Sequence, residues 1–236
     1  MKHLNITLWG VLPYLVLALF VLGSAWRFHY DRFGITTRSS QLHESRLLKV
    51  AGPVFHVGLL MVIAGHLVGL LVPESVTERL QVSESFYRAN ALLVGGAAGL
   101  ATAAGLAVLI WRRLRTRAVR AASLPSDRVL YPILALVLAA GLAATLPSGV
   151  SGDYDYRLGV SIWFRSLFEL DPNVDAMRNA PLVYQVHTLT GMALFALWPF
   201  SRLVHAFAAP VGYLVRPYIV YRSRGAHGRD GQHQRA

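Results

Sequence analysis

The chain has 236 residues, of which 54% are hydrophobic and 15% charged, with a formal net charge of +11 and no cysteine. The charged share falls well below the roughly 25% of an average soluble domain, and mean hydropathy is positive at +0.44. The absence of cysteine excludes an iron–sulfur cluster, a thiolate-ligated or C-x-x-C-H-attached haem, and any disulfide framework.

Five apolar stretches are long enough to cross a bilayer core, which takes about 20 mainly apolar residues. They lie near 4–26, 50–72, 89–111, 129–150 and 181–208. The reading is all-α: an integral membrane bundle of five transmembrane helices filling 1–222, followed by a disordered tail over 223–236. The first span carries Pro13, tolerated in a membrane helix because neighbours can satisfy the freed carbonyl. It exceeds a signal-peptide core and lacks a small-residue cleavage site, so it is read as retained. The second is expected to start near Ala51-Gly52-Pro53, with proline in the first turn. The third is rich in small residues, Gly95-Gly96-Ala97-Ala98-Gly99 and then Ala103-Ala104-Gly105, which suit close helix packing or leave room for a cofactor. The fourth, mostly Leu, Ala and Val, reads as scaffold. The connection 151–180 holds an aromatic cluster including Trp163, Phe164 and Phe168, expected to anchor at the membrane interface or to cover a site there.

The basic excess follows the connections and is not a nucleic-acid footprint. With the first loop cytoplasmic, the cytoplasmic side holds 17 Lys/Arg (Arg202 counted with the tail) and 4 Asp/Glu; the other side holds 6 and 8. The positive-inside rule then places the N-terminus outside and the C-terminus in the cytoplasm. Arg112, Arg113, Arg115, Arg117 and Arg120 read as a topology anchor touching anionic lipid, or as a plain solvated face.

Four histidines fall within apolar spans: His56 and His66 in the second, His187 and His205 in the fifth. Ionisable groups at membrane depth are rare and mark sites or pathways. His56 and His66 differ in depth by about 15 Å and in direction by about 80°. His187 and His205, five full turns apart, share a face over about 27 Å. The two separations differ by about 12 Å, so the fifth helix must tilt, or bend at Pro199. The second and fifth spans run antiparallel, which pairs His56 with His205 and His66 with His187. Two bis-imidazole haems, closed to further ligands and suited to electron transfer, fit that pattern. A transporter with a histidine relay, or an assembly anchor, is the competing reading. The spans hold almost no Asp or Glu to complete a relay, and no paired interruption suggests inverted repeats.

The stretch Phe55-His56-Val57-Gly58, followed by Gly65-His66 and Gly69, resembles the second helix of the respiratory nitrate reductase gamma subunit, a diheme cytochrome b membrane anchor. Pro199-Phe200-Ser201-Arg202-Leu203-Val204-His205 is the most specific match, supported by His187 before Gly191-Met192. Pro13-Tyr14, Gly23-Ser24, Arg27 and Ser39-Ser40-Gln41 are similar to its first helix and loop. The likeness covers roughly residues 4–222.

The resemblance implies a multi-pass protein of the bacterial plasma membrane holding two b haems (iron). His66 and His187 would ligate the outer haem, and His56 and His205 the inner one. Quinol would be oxidised near Gly65, His66 and Gly69. Electrons would pass to a cytoplasmic iron–sulfur beta subunit and a molybdenum-bearing alpha subunit that reduces nitrate to nitrite. A sister cytochrome b anchoring a different reductase is the alternative. The family's well-known member has a quinol-binding lysine just before its third helix. Here that region reads Ser83-Glu84-Ser85-Phe86-Tyr87-Arg88, and Arg88 is the nearest cation, although Arg and Lys are not interchangeable. Arg112, Arg113 and Arg202 are candidates for propionate or partner contacts, since arginine pairs well with carboxylates.

Overall fold

The computed structural model describes residues 2–31, 44–151 and 154–208, and every regular element among them is helical. The long elements are α1 (Lys2–Tyr30), α2 (Arg46–Leu71), α4 (Glu84–Arg115) and α6 (Pro125–Ser151). Shorter helices are α3 (Glu74–Arg79), α5 (Arg117–Ala121), α7 (Val160–Ser166), α8 (Val174–Arg178) and α9 (Leu182–Leu197). Lys2–Tyr30, Arg46–Leu71, Glu84–Arg115 and Pro125–Leu146 are each long and apolar enough to cross a membrane. The expected loop motif Ser39-Ser40-Gln41 and the expected tail 223–236 lie outside the described residues.

The stretch expected as a fifth span, 181–208, is not one continuous α-helix. It is α-helical over Leu182–Leu197, turns 3₁₀ over Trp198–Phe200, becomes extended at Ser201, and resumes as 3₁₀ over Arg202–Ala208. Pro199 has no N–H to continue the ladder. α1 receives this break closely: a Cβ on Gly23 would lie 3.0 Å from the Pro199 ring. Arg27 donates from Nη1 to the Pro199 carbonyl at 3.0 Å, and Phe20 sits edge-on to both Phe195 and Trp198.

α2 begins at Arg46, so Pro53 lies inside the helix and not in its first turn as the sequence suggested. The earlier start has an electrostatic cause. The Glu44 carboxylate accepts the Leu47 N–H at 2.9 Å, supplying a negative group where a helix N-terminus leaves donors unpaired.

The small residues of α4 serve packing. A Cβ on Gly105 would lie 2.7 Å from the Phe55 backbone nitrogen, and one on Gly58 would lie 2.6 Å from Thr102 Oγ1. α2 and α4 therefore cross backbone against backbone, the contact that small residues permit in lipid, where burial supplies no driving force.

α7 and α8 pack into the core at one end of the bundle, while Phe168 stays exposed. Trp163 and Met177 are buried with Trp9, Val160 and Ala180. Pro13 cannot donate to the Trp9 carbonyl one turn back. The Trp163 indole donates to it from Nε1 at 2.8 Å. Trp163 thus closes the backbone gap that Pro13 opens.

Trp163→Phe is expected to leave the Trp9 carbonyl unpaired at a cost of about 1–3 kcal/mol. Thermal melts in detergent should show the loss. The loss should shrink in a Pro13→Ala background, where residue 13 regains its own N–H.

Candidate functional site

The contacts between elements set the helix directions. At one end, rich in arginine, the start of α2 meets the end of α4 through Glu44 and Arg112. There the end of α4 meets the start of α6 through Arg113 and Asp127. At the other end the Ser161 hydroxyl of α7 donates to the Gly69 carbonyl late in α2. The Tyr184 hydroxyl early in α9 donates to the Ala144 carbonyl late in α6. α2 and α9 are therefore antiparallel.

That arrangement brings the four span histidines together two by two. His56 and His205 stand with ring centroids 6.1 Å apart and planes at 81°. His66 and His187 stand 5.8 Å apart at 35°. The break after α9 resolves the unequal sequence spacings: the chain leaves the helix line at Pro199 and Ser201 and delivers His205 to His56.

Each of the four rings is tied through the same atom to a backbone carbonyl. His56 Nδ1 donates to Gly52 at 2.8 Å and His66 Nδ1 to Val62 at 2.8 Å, both within α2. His187 Nδ1 donates across to Val137 of α6 at 3.0 Å, and His205 Nδ1 to Arg202 at 2.6 Å. A carbonyl oxygen only accepts, so the proton sits on Nδ1 and the lone pair on Nε2. This is the tautomer and the second-shell bond that a metal-binding imidazole uses.

The separations suit one metal ion per pair. Two metal–imidazole bonds of about 2 Å, with about 1 Å of each ring's own radius, place centroids about 6 Å apart. No cluster of three or more His, Cys, Asp or Glu occurs among the described residues. α2 packs mainly on α4 and α7, and α9 mainly on α6 and α1. Gly65 on α2 and Gly191 on α9 both face open space, with nothing within 4 Å of an added Cβ.

Two contributors carried no side-chain signal in the sequence. The fourth span, read as scaffold, supplies the Val137 carbonyl for His187. It also supplies Gly141, whose Cβ would lie 2.9 Å from the His187 ring. A glycine within a run of Leu, Ala and Val was the one trace available.

The chain matches the family model for the nitrate reductase gamma subunit over residues 5–224. The chain belongs to the nitrate reductase gamma subunit family. It is 42% identical over 217 residues to the nitrate reductase gamma chain of Bacillus subtilis, covering 92% of this chain and 97% of that one. It is 32% identical over 224 residues to the respiratory nitrate reductase 2 gamma chain of Escherichia coli, covering 94% and 99%. It is 54% identical over 218 residues to the nitrate reductase-like protein NarX of Mycobacterium tuberculosis (strain H37Rv), covering 92% of this chain. The chain spans about a third (33%) of that mycobacterial relative's length. Family and apolar helices together make it a multi-pass plasma membrane protein.

The remaining candidate residues of this gamma-family chain fall at both ends. Gly69 is buried beneath the Tyr156 hydroxyl, 3.0 Å from its added Cβ. Arg88 is exposed near the start of α4. Arg112, 3% exposed, donates from Nε to Glu44 Oε2 and from Nη2 to the Glu44 carbonyl. Arg202 forms a two-point pair with the buried Asp127, Nε to Oδ1 at 2.6 Å and Nη2 to Oδ2 at 2.7 Å. Arg113 adds a third bond to Asp127 at 2.7 Å and lies over the Tyr131 ring. In this structure these arginines at the basic end are engaged by protein carboxylates.

The Leu47 N–H holds the Glu44 carboxyl below its ordinary value; burial opposes this, and Arg112 adds to the lowering. A carboxylate depressed by folding stabilises the fold above its ordinary pKa, and that contribution is lost as pH falls through the lower folded value. Glu44→Gln is therefore expected to lower the melting temperature at neutral pH. The gap to the parent protein should close as pH drops below the ordinary value of 4.5.

Proposed function

We propose that this gamma-family chain is the quinol-oxidising cytochrome b subunit of a nitrate reductase. In this reading it crosses the membrane five times, with the arginine-rich end in the cytoplasm and the Trp9–Trp163 end outside. The observation that carries the reading is the shared geometry of four histidines. α2, together with the antiparallel α9 and the 3₁₀ segment beyond it, presents two imidazole pairs, each ring donating from Nδ1 to a carbonyl.

His56 and His205 would hold one b haem near the cytoplasmic end, and His66 and His187 a second near the outer end. When bound between such histidine pairs, a haem would supply one-electron transfer. The chain's own residues do the remaining work. The Val62 and Val137 carbonyls orient the outer pair, and Gly141 lets the His187 ring lie against α6. Gly65 leaves open space next to His66, where a flat quinol ring can approach, and Gly69 lies one turn further out. Quinol oxidised there releases its protons on the outer side. Electrons leave at the arginine-rich end to an iron–sulfur beta subunit and a molybdenum-bearing alpha subunit, which reduces nitrate to nitrite. The Bacillus subtilis and Escherichia coli relatives, matched over nearly their full lengths and named as gamma chains of nitrate reductase, support that partnership.

The purified chain is expected to show two reducible b-type haems per polypeptide in a reduced-minus-oxidised visible spectrum. A folded, colourless preparation contradicts the reading. His66→Ala should remove one haem and abolish quinol oxidation while the other haem persists. Gly141→Ala should perturb that same outer haem by displacing the His187 ring.

A further inference from the structure

Three of the four histidines take their carbonyl from a regular helix. Gly52 and Val62 lie one turn back in α2, and Val137 lies within α6. In such a helix the ladder itself fixes the carbonyl's direction. His205 differs. Its acceptor is the carbonyl of Arg202, the first residue of a short 3₁₀ segment that follows the extended Ser201. A 3₁₀ segment has poorer hydrogen-bond geometry and little stiffness of its own.

The side chain of the same residue provides the missing rigidity. Arg202 is bonded at two points to Asp127. Asp127 is 1% exposed and also accepts from Arg113 Nη1 and from the Leu124 N–H. Its carboxylate joins the end of α4, the start of α6 and the histidine-bearing segment. A buried carboxylate satisfied by two guanidinium groups and a backbone amide has little freedom, and planar arginine transmits direction as well as charge.

Resting on the reading above, we propose that Asp127 is the positioning residue for His205. By clamping the Arg202 side chain it holds the Arg202 carbonyl against His205 Nδ1–H, and so sets the orientation and basicity of the His205 ring, which would help hold the inner haem. Asp127 bonds to Arg113, the Leu124 N–H and Arg202, and reaches His205 only through Arg202. It acts on the His56–His205 pair and not on His66–His187, whose carbonyl partners are fixed independently.

The test compares the purified membrane protein with Asp127→Asn and Ser123→Ala variants, reading haem stoichiometry and the potential of each haem by spectroscopic redox titration. Loss of a second-shell partner weakens retention of the affected group by about 10–100-fold. Asp127→Asn should therefore lower occupancy of the inner haem or shift its potential, while the outer haem keeps its spectrum and potential and reports that the protein is folded. Ser123→Ala, which removes a bond to Arg113 but leaves every bond to Asp127 in place, should leave both potentials unchanged. If Asp127→Asn does not fold, Arg202→Lys keeps the charge but loses the two-point geometry, and should displace the inner potential alone. Unchanged inner haem in the folded Asp127 variant, or in Arg202→Lys, overturns the proposal, as does an equal effect from Ser123→Ala. A parent protein lacking either haem overturns the broader reading instead, whatever the variants do.

Discussion

One hydrogen bond, made four times, organises this protein: Nδ1–H of a histidine to a backbone carbonyl. Within lipid an imidazole with no partner is costly, and one with either nitrogen free to choose is poorly defined. Fixing the proton on Nδ1 removes both problems and leaves one lone pair with a direction. Around it the rest of the fold can be understood as support. α2 supplies two of the carbonyls from its own ladder, α6 reaches across with a third, and a clamped 3₁₀ segment presents the fourth. The glycines on either side divide the labour. Gly58 and Gly105 bring α2 against α4, and Gly141 admits the His187 ring. Gly65 and Gly191 leave open space beside them.

Pro13 and Pro199 each have a specific partner nearby. Pro13 frees a carbonyl that Trp163 closes from α7, so the connection 154–180 is tied into the core at that end. Pro199 ends α9, and the Arg27 guanidinium takes up its carbonyl. The second break is the one the site depends on. Eighteen residues of straight helix would carry His205 about 27 Å from His187, far beyond the reach of His56. A change of direction at Ser201 converts that separation into a ring contact.

Much of this was legible in the sequence. Charge asymmetry between alternate connections suggested an orientation for the spans, and antiparallel geometry predicted which rings meet. What escaped the sequence was backbone chemistry. The Val137 carbonyl has no signature of its own, so the fourth span looked like scaffold. Pro53 suggested a helix start because Pro suits the first turn, yet Glu44 caps the chain two residues before Arg46 and the helix simply runs through the proline. The aromatic cluster of 151–180 suggested an interface anchor. Trp163 is buried because Pro13, far away in sequence, leaves a carbonyl needing its indole. Asp127, a lone acid at the head of an apolar run, carried a signal that is clear only once Arg202 is seen across from it.

The central proposal is that His56 with His205, and His66 with His187, would each hold one haem. Electron paramagnetic resonance of the oxidised protein reads that coordination directly. Two distinct low-spin ferric signals per chain, each of the bis-imidazole type, are predicted. A stoichiometric high-spin ferric signal at either site, the mark of an open axial position, would contradict the account.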